Sequence, residues 1–212
     1  MKKFNVYYLE DIQRKIPGYN LMLDIVFNAI LPLKGKDLNV KNIYAIGSQS
    51  YEVKNLISLY DKSKIVVVEP SEIMLSMVSE DINSSNLDNI ELVNAKFEEL
   101  NIKDKFQLCL CLLVLQFTEN PYEFLKTIYG NLDDDGILVL SVFTCEFLDY
   151  WYEFALNLGA NPDEIEMTYR YQSKKMRVLE VDEIEEMLRD IGFSNVERGC
   201  QIMPTALWYI KK

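Results

Sequence analysis

The chain contains no histidine. That absence removes Ser–His and Cys–His nucleophilic catalysis, imidazole metal sites and imidazole acid–base chemistry together. Chemistry here rests on carboxylates, Lys, Arg, Tyr, Cys or a cofactor. Cysteine is sparse: Cys109, Cys111, Cys145 and Cys200 form no CxxC pair, and CxC at 109–111 falls in an apolar strand pattern. They read as reduced core residues, and no metal site is expected. Glycine is scarce, and no GxGxxG fingerprint of dinucleotide binding is present. Long apolar runs are missing too, since the longest, Leu108–Phe117, is interrupted by Gln116. Met1-Lys-Lys-Phe-Asn-Val lacks an apolar segment with a cleavage signal, so a cytoplasmic location is expected. Basic residues are outnumbered, leaving a net charge of −11 that argues against unaided contact with a phosphate backbone. The densest basic cluster, Lys174-Lys175-x-Arg177, reads as a solvated or salt-bridged face.

What is present is an α/β pattern. Ile65 to Val68 form a strand apolar on both faces, as inside a parallel sheet covered by helices. The run ends in Glu69, then Pro70, then Ser71 as a helix N-cap. An earlier strand, Asn42–Ile46, runs directly into Gly47-Ser48. Glu69 lies 22 positions after Gly47 (69 − 47), close to one strand–helix–strand unit. An acid at the carboxyl end of the second strand can accept hydrogen bonds from ribose hydroxyls, so an adenosine-type ligand is expected. An ordinary βαβ unit with a solvated Glu69 is the competing reading.

Further strands are expected at 89–94, 106–112 and 136–142, with Asp133-Asp-Asp-Gly136 as a turn before the last. Helices are expected near 51–60, 71–82, 120–131, 146–158 and 180–191. Residues 4–34 read as two helical pieces split by Pro17-Gly18-Tyr19, the second ended by Pro32. Ser194–Ile202 and Thr205–Ile210 form two strands tightly joined at Met203-Pro204, so one must run antiparallel to the rest. The expected fold is a Rossmann-like, seven-stranded, mostly parallel sheet with a C-terminal antiparallel strand and a helical N-terminal cap. The whole of 1–212 is expected to be one domain, with 1–38 as the cap and 40–212 as the core.

This order of elements resembles the class I S-adenosylmethionine (SAM)-dependent methyltransferases. The landmarks are Ile43-Tyr-Ala-Ile-Gly-Ser48, Val68-Glu-Pro-Ser-x-x-Met-Leu75, Leu113-Val-Leu-Gln-Phe117, Asn131-Leu-Asp-Asp-Asp-Gly-Ile-Leu-Val-Leu-Ser141 and Leu188-x-x-x-Gly-Phe193. Asp11-Ile-Gln-Arg-Lys-Ile-Pro-Gly-Tyr-Asn20, Leu115-Gln-Phe117 and Ile128-Tyr-x-x-Leu132 are similar to the bacterial carboxy-SAM synthases of the tRNA wobble-uridine oxyacetate pathway, which use SAM and prephenate.

The resemblance implies a cofactor set of Tyr19, Gly47, Ser48, Gln49, Glu69, Pro70, Lys96, Phe97 and Leu112, with Arg170 meeting a substrate carboxylate. Several of these depart from the family pattern. Ala45 replaces the acid opening the first-strand motif, and Gln49 and Tyr51 replace its second and third glycines. Lys96 stands where an acid would face the adenine amino group, Leu112 replaces an asparagine, and Arg170 aligns only after a one-residue shift. Phe97 is a candidate to stack on adenine or to fill the core, and Tyr150, Trp151, Tyr152 and Phe154 are candidates for an acceptor pocket or for core packing.

The leading expectation is a SAM-dependent methyltransferase acting on an unidentified small-molecule acceptor, with no catalytic residue assigned. The sulfonium is already activated, so positioning suffices, which suits a chain without histidine. A carboxy-SAM synthase-like enzyme, a non-catalytic SAM-fold binding protein and a nicotinamide oxidoreductase stay open. No nucleic acid or membrane partner is expected, and a homodimer is an open option.

Overall fold

The computed structural model describes residues 12–35, 39–82, 88–166, 169 and 178–212. Seven strands form one sheet: β1 Asn42–Ile46, β2 Lys64–Val68, β3 Ile90–Val93, β4 Phe106–Leu112, β5 Leu132–Phe143, β6 Asn195–Ile202 and β7 Thr205–Lys211. Their order is β3-β2-β1-β4-β5-β7-β6. Strands β1 to β5 pair in parallel. β7 runs antiparallel to both β5 and β6. The expected single reversed strand is therefore β7, set between two strands of the opposite direction.

Besides helical turns at 12–15 and 162–166, the helices among the described residues include α1 Tyr19–Ile25, α2 Leu31–Lys34, α3 Ser50–Leu59, α4 Glu72–Ile82, α5 Pro121–Asn131, α6 Leu148–Asn157 and α7 Val181–Ile191. They cover both faces of the sheet. Phe124, Leu125 and Ile128 of α5 join Ile184 and Leu188 of α7 in one buried cluster with Cys109 and Cys111 of β4. Met22 and Leu23 of α1, Val53 and Leu56 of α3 and Val78 of α4 pack on the other face, against Leu108, Leu110 and Leu112. Strand side chains alternate between faces, so β4 must be apolar throughout. Its two cysteines are the core residues expected, and burial pushes both thiols up from their ordinary range.

Two local expectations are corrected. Pro32 does not end the N-terminal helix. The backbone widens into a π-helical turn over Val26–Ile30, and Leu31 N–H bonds back to Val26 O. The helix then continues with Pro32 in the first turn of α2, a position that tolerates a residue without an N–H. Asp133–Gly136 likewise lie inside β5 rather than before it. Phe106 pairs with Leu132 but Leu108 with Ile137, so the acidic residues bulge out between two paired positions. Gly136 is needed there, since a Cβ would stand 2.5 Å from Leu132 Cγ. Among the described residues, no helix is long and apolar enough to cross a membrane.

Candidate nucleotide-binding cleft

The chain leaves β1 and β4, neighbours in the sheet, towards helices on opposite faces. That divergence opens a crevice at their carboxyl ends, the usual ligand position in open α/β sheets. Here the crevice is a cleft of about 370 Å³. Gly47, Gln49, Glu69, Pro70, Lys96 and Phe97 all line it. Six residues expected from sequence are thus brought together from three separate strand ends.

Gly47 has φ of +64°, and its N–H bonds Val68 O at 2.8 Å. A Cβ at this position would stand 2.5 Å from Val114 Cγ2 and 3.9 Å from Glu69 Oε2. The glycine is therefore favoured twice, for its left-handed backbone and because a side chain would collide with Val114, while Glu69 Oε2 stays at ordinary contact distance. Glu69 accepts from the Ser71 N–H through Oε1 at 2.8 Å. Burial raises its pKa, and the Ser71 bond opposes that rise. Oε2 faces the Gly47 side and has acceptor capacity for a ligand hydroxyl. Asn94, at the end of β3, donates to Glu69 O at 2.9 Å and Pro70 O at 3.0 Å. It pins the turn that carries the acid, a role no sequence pattern announced.

The loop after Gly47 differs from a glycine-rich one. Gln49 is the N-cap of α3, and Glu52 Oε2 accepts from its backbone N–H at 3.2 Å in a capping box. Glu52 is buried at 4% exposure and also takes the Tyr19 hydroxyl at 3.3 Å through Oε1. Desolvation raises the Glu52 pKa, opposed by hydrogen bonds that include those from Tyr19 and Gln49. The signal for Glu52 was the spacing Gln49-x-x-Glu52, which sequence reasoning passed over. Ser48 is buried, and among the described residues its Oγ finds no partner.

The far end of the cleft is built from charge and aromatic packing. Lys96 Nζ pairs with Glu119 Oε1 at 3.1 Å, joining the loop after β3 to the loop after β4. Both residues line the cleft, and Glu119 holds the Lys96 pKa up. Phe97 is 2% exposed and meets Tyr44, Phe106 and Phe124 edge-on at centroid distances of 6.1, 6.5 and 5.7 Å. It forms a fixed floor rather than a free stacking plate. Leu113 takes φ of +58°, and its N–H bonds Ser141 O at 2.9 Å. This turns the chain so that Val114 and the 3₁₀ turn Leu115–Phe117 wall the cleft.

Three expected cofactor residues, Ser48, Leu112 and Tyr19, do not line the cleft. Leu112 is buried in the core beneath the cap helices. Tyr19 is buried at the start of α1 and borders a separate cavity of about 340 Å³ with Leu23 and Tyr51. Arg170 lies outside the described residues. Of the aromatic candidates, Trp151 faces a small pocket beside Phe117, whereas Tyr150 and Phe154 border an open groove with Leu158 and Met203.

Residues 46–140 match the family model of a methyltransferase domain. A carboxy-S-adenosyl-L-methionine synthase of Methylococcus capsulatus is 28% identical over 118 residues, which is 51% of this chain and 49% of that protein. The match thus spans about half the length of this curated relative. Among solved structures, a plantazolicin methyltransferase in complex with a monoazolic desmethylPZN analogue and SAH (S-adenosylhomocysteine) superposes with a TM-score of 0.71 at 15% identity, covering 100% of this chain and 90% of that one. The magnesium protoporphyrin IX methyltransferase of Synechocystis with bound SAH gives a TM-score of 0.66 at 14% identity, over 92% and 84%. Fold and domain agree: the chain has the class I SAM-methyltransferase fold, and its residues 46–140 match a methyltransferase domain.

Proposed function

We propose that this protein is a cytoplasmic SAM-dependent methyltransferase of small molecules, working as one domain over 1–212. The observation that carries it is the Gly47–Glu69 corner, where a left-handed glycine at the end of one strand and a carboxylate at the end of its neighbour line the same cleft. A ribose diol fits that corner, because Glu69 Oε2 accepts and a hydroxyl donates. Asn94 and Ser71 hold the acid in position. The residues present therefore suit an adenosine group at its ribose end.

When bound, SAM supplies a methyl group already activated by its sulfonium. The chain's part is then to hold, orient and shield. Glu69 would hold the ribose, Gly47 turns the loop beside it, and Phe97 closes the floor. Ionised Glu52 would suit a cationic neighbour, but it is committed to Gln49 and Tyr19, so it acts on the loop. No imidazole is available to take a proton, so any proton an acceptor loses goes to water or to a carboxylate, Lys, Tyr or Cys side chain. The net charge of −11 favours a small acceptor over a nucleic acid.

Calorimetry with SAM and SAH tests the reading. Binding of both is expected, and failure of both to bind would leave a non-catalytic relative. The similarity to a carboxy-SAM synthase motivates a second reading, carboxymethyl-type chemistry with prephenate. Incubation with SAM and prephenate, read by mass spectrometry, separates the two. Lys96 and Leu112 replace polar groups of that family, so no carboxymethyl product is expected.

A further inference from the structure

A second, smaller pocket of about 180 Å³ adjoins the nucleotide cleft, and Phe117 borders both. It sits beyond the carboxyl ends of β4 and β5. Its walls are Ile16 from the N-terminal segment, Phe117, Phe143 at the end of β5, Trp151 of α6 and Ile165. Three of these walls are buried and fixed. Trp151 donates its indole N–H to Lys15 O at 2.6 Å and meets Phe143 edge-on at 5.2 Å between centroids. Phe143, Trp151 and Ile165 are each at most 2% exposed.

Polar groups at this pocket are few and already engaged. Gln116 spends its amide inward, donating to Leu113 O at 2.8 Å. At the edge, Lys15 Nζ pairs with Glu164 Oε2 at 2.5 Å. A formally charged ligand group would bring a like charge to one member of that pair and pay desolvation against an apolar wall. An uncharged hydroxyl can instead donate to Glu164 and accept from Lys15 without separating them. Apolar cavities of roughly 150 Å³ admit a benzene-sized ring. The pocket here has that size and lining.

We propose that this pocket binds one planar aromatic ring carrying an uncharged polar substituent, and that it is the acceptor site of the methyltransferase proposed above. The ring contacts Phe143, Trp151 and Ile165, its substituent reaches the Lys15–Glu164 pair, and its opposite edge points past Phe117 towards the cleft. The inference rests on the methyltransferase reading for its role as acceptor site, but not for ring binding itself.

The test uses the full chain and p-cresol as probe, with benzoate as its charged counterpart. The chain has two tryptophans, so the Trp151 indole N–H signal in a ¹H–¹⁵N spectrum is assigned by its loss in Trp151→Phe. Saturable movement of that signal by p-cresol, with little or none by benzoate at equal concentration, is expected. Ile165→Trp should fill the pocket and abolish the p-cresol response, while SAH binding stays as in the parent chain. Ile16→Phe, from the half-buried side, does the same if Ile165→Trp fails to fold. A still signal, a benzoate response equal to or larger than that of p-cresol, or an unchanged response in a folded filled variant overturns the proposal. If p-cresol binds and SAH does not, the ring pocket stands and the methyltransferase reading falls. If SAH binds and p-cresol does not, the reverse holds.

Discussion

The Tyr19 hydroxyl donates to Glu52 Oε1 at 3.3 Å, tying the Pro-Gly-Tyr segment of the N-terminal cap to the first turn of α3. Glu52 answers on its other oxygen to the Gln49 N–H at 3.2 Å. One buried carboxylate therefore joins the cap, the helix start and the loop that leaves Gly47. This arrangement explains how the loop keeps a defined path with Gln49 where the family pattern has glycine. Helix capping fixes the backbone that glycines would otherwise let approach the ligand.

Glu52→Gln should change how stability depends on pH. Burial raises the folded-state pKa of Glu52 above the ordinary value of 4.5. As pH rises through that ordinary value, the unfolded chain releases its proton before the folded one does. Stability from this group is present at lower pH, falls across the window up to the raised value, and stays reduced above it. Gln cannot titrate, so that fall should disappear from denaturant midpoints measured across pH 4 to 8. A variant with the parent's slope would mean Glu52 is ionised and well solvated in the folded chain.

Gly47→Ala should be destabilising by two separable routes. A left-handed backbone costs an ordinary residue about 1–2 kcal/mol. The new methyl also meets Val114 Cγ2 at 2.5 Å. Adding Val114→Ala should restore the steric part alone, giving a coupling of about 0.5–3 kcal/mol in a double-mutant cycle read by urea unfolding. Strict additivity would show that the loop moves away instead.

Glu69→Ala should weaken SAH binding by about 1–3 kcal/mol, roughly fivefold to 150-fold, the range for losing a charge-assisted hydrogen bond. Calorimetry against the parent chain is the measurement. Unchanged affinity in a folded variant would remove Glu69 from the site.

Much of the fold was legible in local pattern. The run Ile65–Val68 is apolar on both faces because β2 is buried between β1 and β3, and the pattern says so directly. Gly47, Gln49, Glu69, Pro70, Lys96 and Phe97 sit at strand ends, so finding the strands found the cleft. Groups supplied by tertiary approach were not legible. Glu119 pairs with Lys96 across 23 residues, and Trp151 bonds Lys15 across 136, and no period or spacing encodes either contact. Pro32 misled because a proline breaks an α-helical ladder, whereas the π turn before it lets the helix continue. The acidic run 133–136 misled because turn residues also fill bulges.

Tyr19→Phe separates structure from cofactor contact. The resemblance to carboxy-SAM synthases implies that this tyrosine touches the cofactor, yet it lines a cavity apart from the cleft and bonds Glu52. Removing the hydroxyl leaves Glu52 Oε1 without that donor in a buried setting, which should cost about 1–3 kcal/mol in stability. It also withdraws a bond that holds the Glu52 pKa down, so the loss of stability with rising pH should extend to higher pH than in the parent. SAH affinity, measured below the unfolding midpoint, should stay as in the parent chain. A collapse of SAH affinity with stability intact would instead make Tyr19 a cofactor residue, and would strengthen the carboxymethyl reading.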